Sequence, residues 1–185
     1  TVPGPVRYRM KADRIVTGTY LLAAAASRGT VMIRNFPQEL DALLYLLEKM
    51  GGDICREEQK LLFSMPHRAH APAFVETAPY PGFPTDLQSP LMAVLAGADG
   101  AGVIKENVFE NRFRTAGQLA RMGAQIEIDG SCARVTGCKL CSNTVKAPDL
   151  RGGAALALAA LQADGVSTIT GMEYVERGYE DLARD

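Results

Sequence analysis

Asp86-Leu-Gln-Ser-Pro-Leu-Met-Ala-Val-Leu-Ala-Gly-Ala-Asp-Gly-Ala-Gly102, followed by Val103-Ile104, sets the pattern of the chain. It places an acid ahead of a helix-forming run of small and branched apolar residues, then a glycine, then a β-prone pair. The same order occurs twice more. Asp13 and Gly29 frame Leu21-Leu-Ala-Ala-Ala-Ala26, with Val31-Met-Ile33 behind them, and Asp149 and Gly165 frame Ala154-Ala-Leu-Ala-Leu-Ala159, with Ser167-Thr-Ile-Thr170 behind. In all three the acid stands 16 residues before the glycine. Self-similarity at this scale means repeated structural units, and each glycine reads as a helix C-cap that feeds a strand.

The repeat extends past the strand. Leu40, Leu43, Leu44, Leu47 and Met50 recur at helical spacing and stop at Gly51-Gly52, ahead of Asp53-Ile-Cys55 and Leu61 to Met65. In the second unit Leu119-Ala-Arg-Met-Gly123 ends the matching helix, and Gln125-Ile-Glu-Ile128, a turn at Asp129-Gly130 and Ala133-Arg-Val-Thr136 predict a hairpin. Leu47 and Leu119 each precede their glycine by four residues; the same offset from Leu182 would fall just beyond Asp185. The pattern predicts an α/β (α+β) chain of three β-α-β-α-β-β units, at about residues 5–70, 71–137 and 138–185, the third lacking its hairpin. Three units about a pseudo-threefold axis would bury the Ala-rich helices together and put the sheets outside, an inside-out α/β barrel. A sheet short of strands exposes an edge that intact proteins avoid, so the chain is expected to be excised from a longer parent.

Composition narrows the function. With 22% charged and 47% hydrophobic residues the chain is an ordinary globular one, and 185 residues suffice for a full core. Twenty basic against 21 acidic residues give a net charge of -1, with no basic stripe for nucleic acid or an anionic membrane. The most apolar run, Tyr20 to Ala26, is too short to span a bilayer, and the N-terminus lacks the layout of a secretory signal. A cytoplasmic location is expected. Cys132, Cys138 and Cys141 include one CxxC spacing, but a structural zinc site wants four ligands, and His67 and His70 stand in a separate Pro/Ala-rich stretch. Neither metal nor cofactor is expected, and reduced thiols are the better reading of the cysteines.

Candidate site residues gather around the second unit. In Pro81-Gly-Phe-Pro-Thr-Asp86 two prolines stiffen the corner before an acid, and either Thr85 or Asp86 could cap the helix that follows. About twenty residues on, Val108-Phe-Glu-Asn-Arg-Phe113 supplies a base. Structural pairings compete with a functional role: Arg112 with Glu110 or Glu106, Arg151 with Asp149, Arg177 with Glu176 or Glu180.

Together, Asp13-Arg-Ile-Val-Thr-Gly-Thr19, Pro81 to Asp86, Val108 to Phe113, Arg121-Met-Gly-Ala124, Asp149-Leu-Arg151 and Arg177-Gly-Tyr179 resemble the UDP-N-acetylglucosamine 1-carboxyvinyltransferases. The resemblance implies a two-lobed enolpyruvyl transferase that closes on its sugar nucleotide and phosphoenolpyruvate, moves the enolpyruvyl group to the sugar 3-hydroxyl and releases phosphate, opening peptidoglycan synthesis. It implies Asp86 as the carboxylate that contacts the sugar hydroxyl and the candidate general base. Val108 would contact the nucleotide sugar through its backbone, while Arg112, Asp149, Arg151 and Arg177 would line the cleft, Arg177 reaching the phosphate of phosphoenolpyruvate. Arginine suits that substrate, whose phosphate and carboxylate accept planar bidentate donors.

The family's reactive cysteine has no counterpart here, since none of the four cysteines falls in its loop. The expected partners are therefore the two small-molecule substrates and a second lobe, with the isolated chain inactive. Two alternatives stay open: a non-enzymatic module that binds a sugar nucleotide or a protein, and a lobe of an enolpyruvylshikimate-phosphate synthase, whose phosphate-binding motifs are not visible.

Overall fold

The computed structural model of the chain describes residues 4, 7, 10–180 and 182. The first unit runs helix α1 (Arg14–Ser27), strand β1 (Thr30–Arg34), helix α2 (Asp41–Lys49) and the hairpin of β2 (Asp53–Arg56) and β3 (Lys60–Ser64). The second runs β4 (Phe74–Glu76), a 3-10 turn (Thr85–Leu87) continuous with α3 (Gln88–Ala96), β5 (Ala101–Lys105), α4 (Ala116–Arg121) and the hairpin of β6 (Gln125–Asp129) and β7 (Cys132–Thr136). The third has β8 (Thr144–Lys146), α5 (Leu150–Ala160), β9 (Thr168–Thr170) and a 3-10 helix (Met172–Arg177). The second unit is thus the complete strand-helix-strand-helix-hairpin repeat. The first unit's leading strand would fall before Asp13, where most residues lie outside those described, and the third unit shows no hairpin among the described residues.

Among the described residues three sheets result, ordered β1-β3-β2, β4-β5-β7-β6 and β8-β9, none of them a closed sheet. The fold is mixed α/β. Strand alternation decides which face each sheet buries: Leu61 and Phe63 point inward with no exposure, while Leu62 between them is 44% exposed. Helices α1, α3 and α5 pack on one another and carry the core. Every residue of α3 is buried, which calls for side chains that are small where helices approach and apolar all round. Ala93 and Ala96 of α3 and Ala155 and Ala159 of α5 supply the first property, Leu91 and Leu95 the second. Burying each leucine contributes about 1.5–3 kcal/mol; a leucine forced in at Ala93 would overpack the junction at a cost of about 1–3 kcal/mol.

The repeat holds, with one change of register. Isolated bridges pair His70 with Asp99 and Cys141 with Asp164, so Gly100 and Gly165 are equivalent, and both take φ 93° in the turn from helix to strand. Only glycine adopts that value without strain. Gly102, two residues later, lies inside β5 rather than capping a helix, and at the end of α1 it is Arg28 (φ 54°), not Gly29, that turns left-handed. Counting back sixteen residues from Gly100 lands on Pro84. Accordingly the cap position in the second unit is Pro84, extended at φ -72° and ψ 132°, and Asp86 has moved into the first helical turn.

Candidate active site

Asp13 and Asp149 behave as the repeat predicts for helix-leading acids. Asp13 accepts from the backbone N–H of Ile15 (2.6 Å) and Val16 (3.2 Å), and Asp149 from that of Gly152 (2.7 Å). Each therefore satisfies a donor that the first turn leaves without an intrahelical partner. The second unit departs from the expected cap by Thr85 or Asp86. Neither side chain caps α3, whose entry is closed by backbone, Leu87 N–H donating to the Pro84 carbonyl at 3.0 Å. The Thr85 hydroxyl donates elsewhere, to Glu106 Oε2 at 2.9 Å. Asp86 is left with both oxygens for side-chain partners.

Those partners are two of the candidate arginines. Arg112 Nη2 reaches Asp86 Oδ1 at 2.7 Å and Arg151 Nη2 reaches Oδ2 at 3.3 Å. The side chains are 38% exposed for Asp86, 23% for Arg112 and 17% for Arg151, so the cluster is half-buried yet open to a ligand. The structural pairings allowed by sequence, Arg112 with Glu106 or Glu110 and Arg151 with Asp149, are not the ones formed. Three units meet here, because Arg151 Nη1 also lies 3.5 Å from the Tyr179 hydroxyl, and that hydroxyl lies 2.8 Å from Thr19 Oγ1 on α1. Thr19 donates to the Ile15 carbonyl at 2.9 Å, so the bonds run in one direction, from Arg151 through Tyr179 to Thr19.

Close backbone packing places Tyr179. A Cβ on Gly153 would run into Val175, so the glycine lets the 3-10 helix lie against α5 and carry Tyr179 inward. Arg177 is brought into no such cluster: its guanidinium stands 5.8 Å over the Tyr174 ring, and among the described residues it pairs with neither Glu176 nor Glu180.

Beside the ion pairs lies an open cavity of about 870 Å³, walled by Val108, Phe109, Arg112, Ile128 and Ser131. Arg112 belongs both to this wall and to the Asp86 pair, and its guanidinium sits 5.3 Å over the Phe109 ring. The backbone N–H of Val108 is already engaged, donating to Glu106 Oε1 at 2.8 Å. Sequence reading missed Glu106 and Thr77 as site-building residues, although a signal existed. Period two from buried Val75 and Ile104 points Thr77 and Glu106 to the core side of their strand ends.

Cys138 donates its thiol to the Gly123 carbonyl at 3.2 Å, and among the described residues no three His, Cys, Asp or Glu side chains come together as a ligand set. No described helix is long and apolar enough to cross a membrane.

Comparison with known proteins agrees on the relationship. The UDP-N-acetylglucosamine 1-carboxyvinyltransferase of Desulfofundulus thermocisternus is 44% identical over 184 residues, covering 97% of this chain and 74% of that protein. The enzyme of that name from Geotalea daltonii is also 44% identical, over 98% of this chain, but here the chain spans 44% of the relative's length. Among solved structures, the enolpyruvyl transferase NikO from Streptomyces tendae superposes with a TM-score of 0.83 at 27% identity, over 93% of this chain and 41% of its own. Residues 2–185 match the family described as EPSP synthase (3-phosphoshikimate 1-carboxyvinyltransferase), and the chain belongs to that family.

Proposed function

We propose that the chain is one lobe of a two-lobed cytoplasmic carboxyvinyltransferase that moves the enolpyruvyl group of phosphoenolpyruvate to the 3-hydroxyl of UDP-N-acetylglucosamine, for peptidoglycan synthesis. The lobe is read as an inside-out α/β barrel of three units, and the chain by itself as holding half a site without turnover. The observation that carries the reading is the convergence of Arg112 and Arg151 on Asp86 beside a cavity large enough for part of a sugar nucleotide. Relatives at 44% identity carry the sugar-nucleotide name, which supports that acceptor over shikimate 3-phosphate.

The chemistry asks for one base and for cations. As the acceptor hydroxyl oxygen bonds to the enol carbon, Asp86 takes the hydroxyl proton and the C=C pair takes a proton at the methylene carbon, giving a tetrahedral intermediate; that methyl carbon then loses a proton, the double bond reforms, the C–O bond to phosphate breaks and phosphate departs. Arg112 and Arg151, held on Asp86 without ligand, are the groups that the phosphate and carboxylate of phosphoenolpyruvate would draw over, since both anions accept guanidinium bidentately. Asp149 and Arg151 stand at the same helix start; Val108 would contact the nucleotide sugar, and Arg177 would reach the phosphate of phosphoenolpyruvate on closure. Lobe closure would expel water and strengthen each contact.

Phosphate release by the two-lobed protein, with phosphoenolpyruvate and either UDP-N-acetylglucosamine or shikimate 3-phosphate, tests this reading. Release with the sugar nucleotide alone is expected. Release with shikimate 3-phosphate alone would reassign the acceptor, and binding of UDP-N-acetylglucosamine without release would leave a binding module.

A further inference from the structure

Glu106 is 4% exposed and accepts four hydrogen bonds. Oε1 takes the Thr77 hydroxyl at 2.8 Å, the Val108 N–H at 2.8 Å and the Phe109 N–H at 3.1 Å; Oε2 takes the Thr85 hydroxyl at 2.9 Å. The Thr77 hydroxyl in turn accepts from the Asn107 N–H at 2.9 Å. Among the described residues no basic side chain pairs with Glu106. A carboxylate so deeply placed is costly unless its lone pairs are filled. Here backbone and hydroxyl donors fill them: the Thr77 and Thr85 hydroxyls from earlier in the chain, and the Val108 and Phe109 amides of the loop that follows.

Those segments bear on the site. Thr85 directly precedes Asp86, and Phe109 is three residues from Arg112, so one side chain grips both strands of chain that present the 2.7 Å Asp86–Arg112 pair. Removing it would leave the Val108 and Phe109 amides without their acceptor and the loop free to move away from the Asp86 turn. We propose that Glu106 is a positioning residue that holds the Val108–Arg112 loop in register with Asp86. For its ligand the proposal rests on the sugar-nucleotide reading above; for the anchor itself it does not.

Glutamine and alanine separate anchoring from mere occupancy. Glu106→Gln keeps the three bonds to Oε1, and its amide N–H can donate to Thr85 Oγ1 once that hydroxyl reverses, so the register should survive loss of the charge. Glu106→Ala removes all four. Thr85→Val, isosteric and uncharged, cuts only the link to the Asp86 turn and guards against an alanine variant that does not fold.

Two readouts decide. In the folded chain, hydrogen exchange at the Val108 and Phe109 amides should accelerate by at least about 100-fold in Glu106→Ala and by less than about tenfold in Glu106→Gln. UDP-N-acetylglucosamine affinity, measured calorimetrically on the two-lobed protein, should fall by about 10- to 100-fold in Glu106→Ala, by about threefold in Thr85→Val and by no more than about threefold in Glu106→Gln. Amides that stay protected in Glu106→Ala, or a glutamine variant as impaired as alanine, would overturn the proposal. So would an alanine variant that exchanges rapidly yet binds the sugar nucleotide as wild type does. A wild-type protein that binds no sugar nucleotide would sink the functional reading instead, and the exchange rates alone would then decide the anchor.

Discussion

Asp149 and Asp86 stand at matching points of the sequence repeat, yet one caps a helix and the other holds two arginines. Asp149 has extended backbone, and its carboxylate folds back on the Gly152 N–H. Two residues of register separate them: in the second unit the helix begins earlier, with a 3-10 turn over Thr85–Leu87, and Pro84 takes the cap position. The spatial counterpart of Asp86 in the third unit is therefore Arg151, to which it is paired at 3.3 Å. An acid inside the first turn still benefits from the positive end of the helix, but its side chain leaves the axis and is available to partners. A repeat that slips by two residues has turned a helix-capping acid into one that pairs with two arginines.

The largest effect should come from removing that acid. Asp86→Asn in the two-lobed protein is expected to lower phosphate release by about 10²- to 10⁴-fold, the range for loss of a general base. Unchanged release would erase the distinction between the two aspartates. Tyr179→Phe should do less: it removes the hydroxyl between Arg151 and Thr19, a long 3.5 Å contact from the guanidinium and one neutral bond, and a rise of about fivefold in KM for phosphoenolpyruvate at similar kcat is expected. A fall in kcat without a change in KM would show that Tyr179 does more than steady Arg151. Smaller again, Asp13→Ala deletes a cap and should cost about 1 kcal/mol, lowering Tm by about 2–4 °C with turnover intact. If turnover fell along with Tm, Asp13 would belong with Asp86 and not with Asp149.

Much of this was legible in the sequence because periodicity reports burial. Strand β3 falls on the apolar stretch Leu61 to Met65, and α2 and α4 stop short of Gly51 and Gly123 as expected. The run of alanines and leucines in α3 told of a helix buried all round. What spacing could not show was which of three acids still capped. The interval from Pro84 to Gly100 equals that from Asp86 to Gly102, so counting residues fits both registers, and only the His70–Asp99 bridge chooses. Partner choice was hidden for a related reason. Arg112 has Glu110 two residues away in the chain, but it pairs with Asp86 across the fold, from a loop whose Val108 and Phe109 amides donate to Glu106. The three sheets remain separate, and the fold is mixed α/β.

The opposite ends of the same helices provide the smallest test. Where α3 and α5 run out, Lys139 Nζ and Asp164 lie 2.6 Å apart, as short as any pair at the Asp86 end, but their side chains are 80% and 77% exposed. The hydrogen bond and the neighbouring charge hold the Asp164 carboxyl below its ordinary 3.8 and the Lys139 ammonium above its ordinary 10.5. The signs fix the pH window. A depressed carboxyl contributes above its unfolded value and loses the contribution as pH falls through the folded one; a raised ammonium contributes below its unfolded value and loses it as pH rises through the folded one. Any stabilisation therefore spans the neutral range and fades at both ends. Water and salt screen so exposed a pair, and Lys139→Ala should lower Tm by less than about 1 °C at pH 7 in low salt, with the difference gone at about 0.5 M NaCl. A salt-resistant fall of several degrees would mean that distance, not burial, ranks these pairs, and Asp86 would lose the feature that sets it apart.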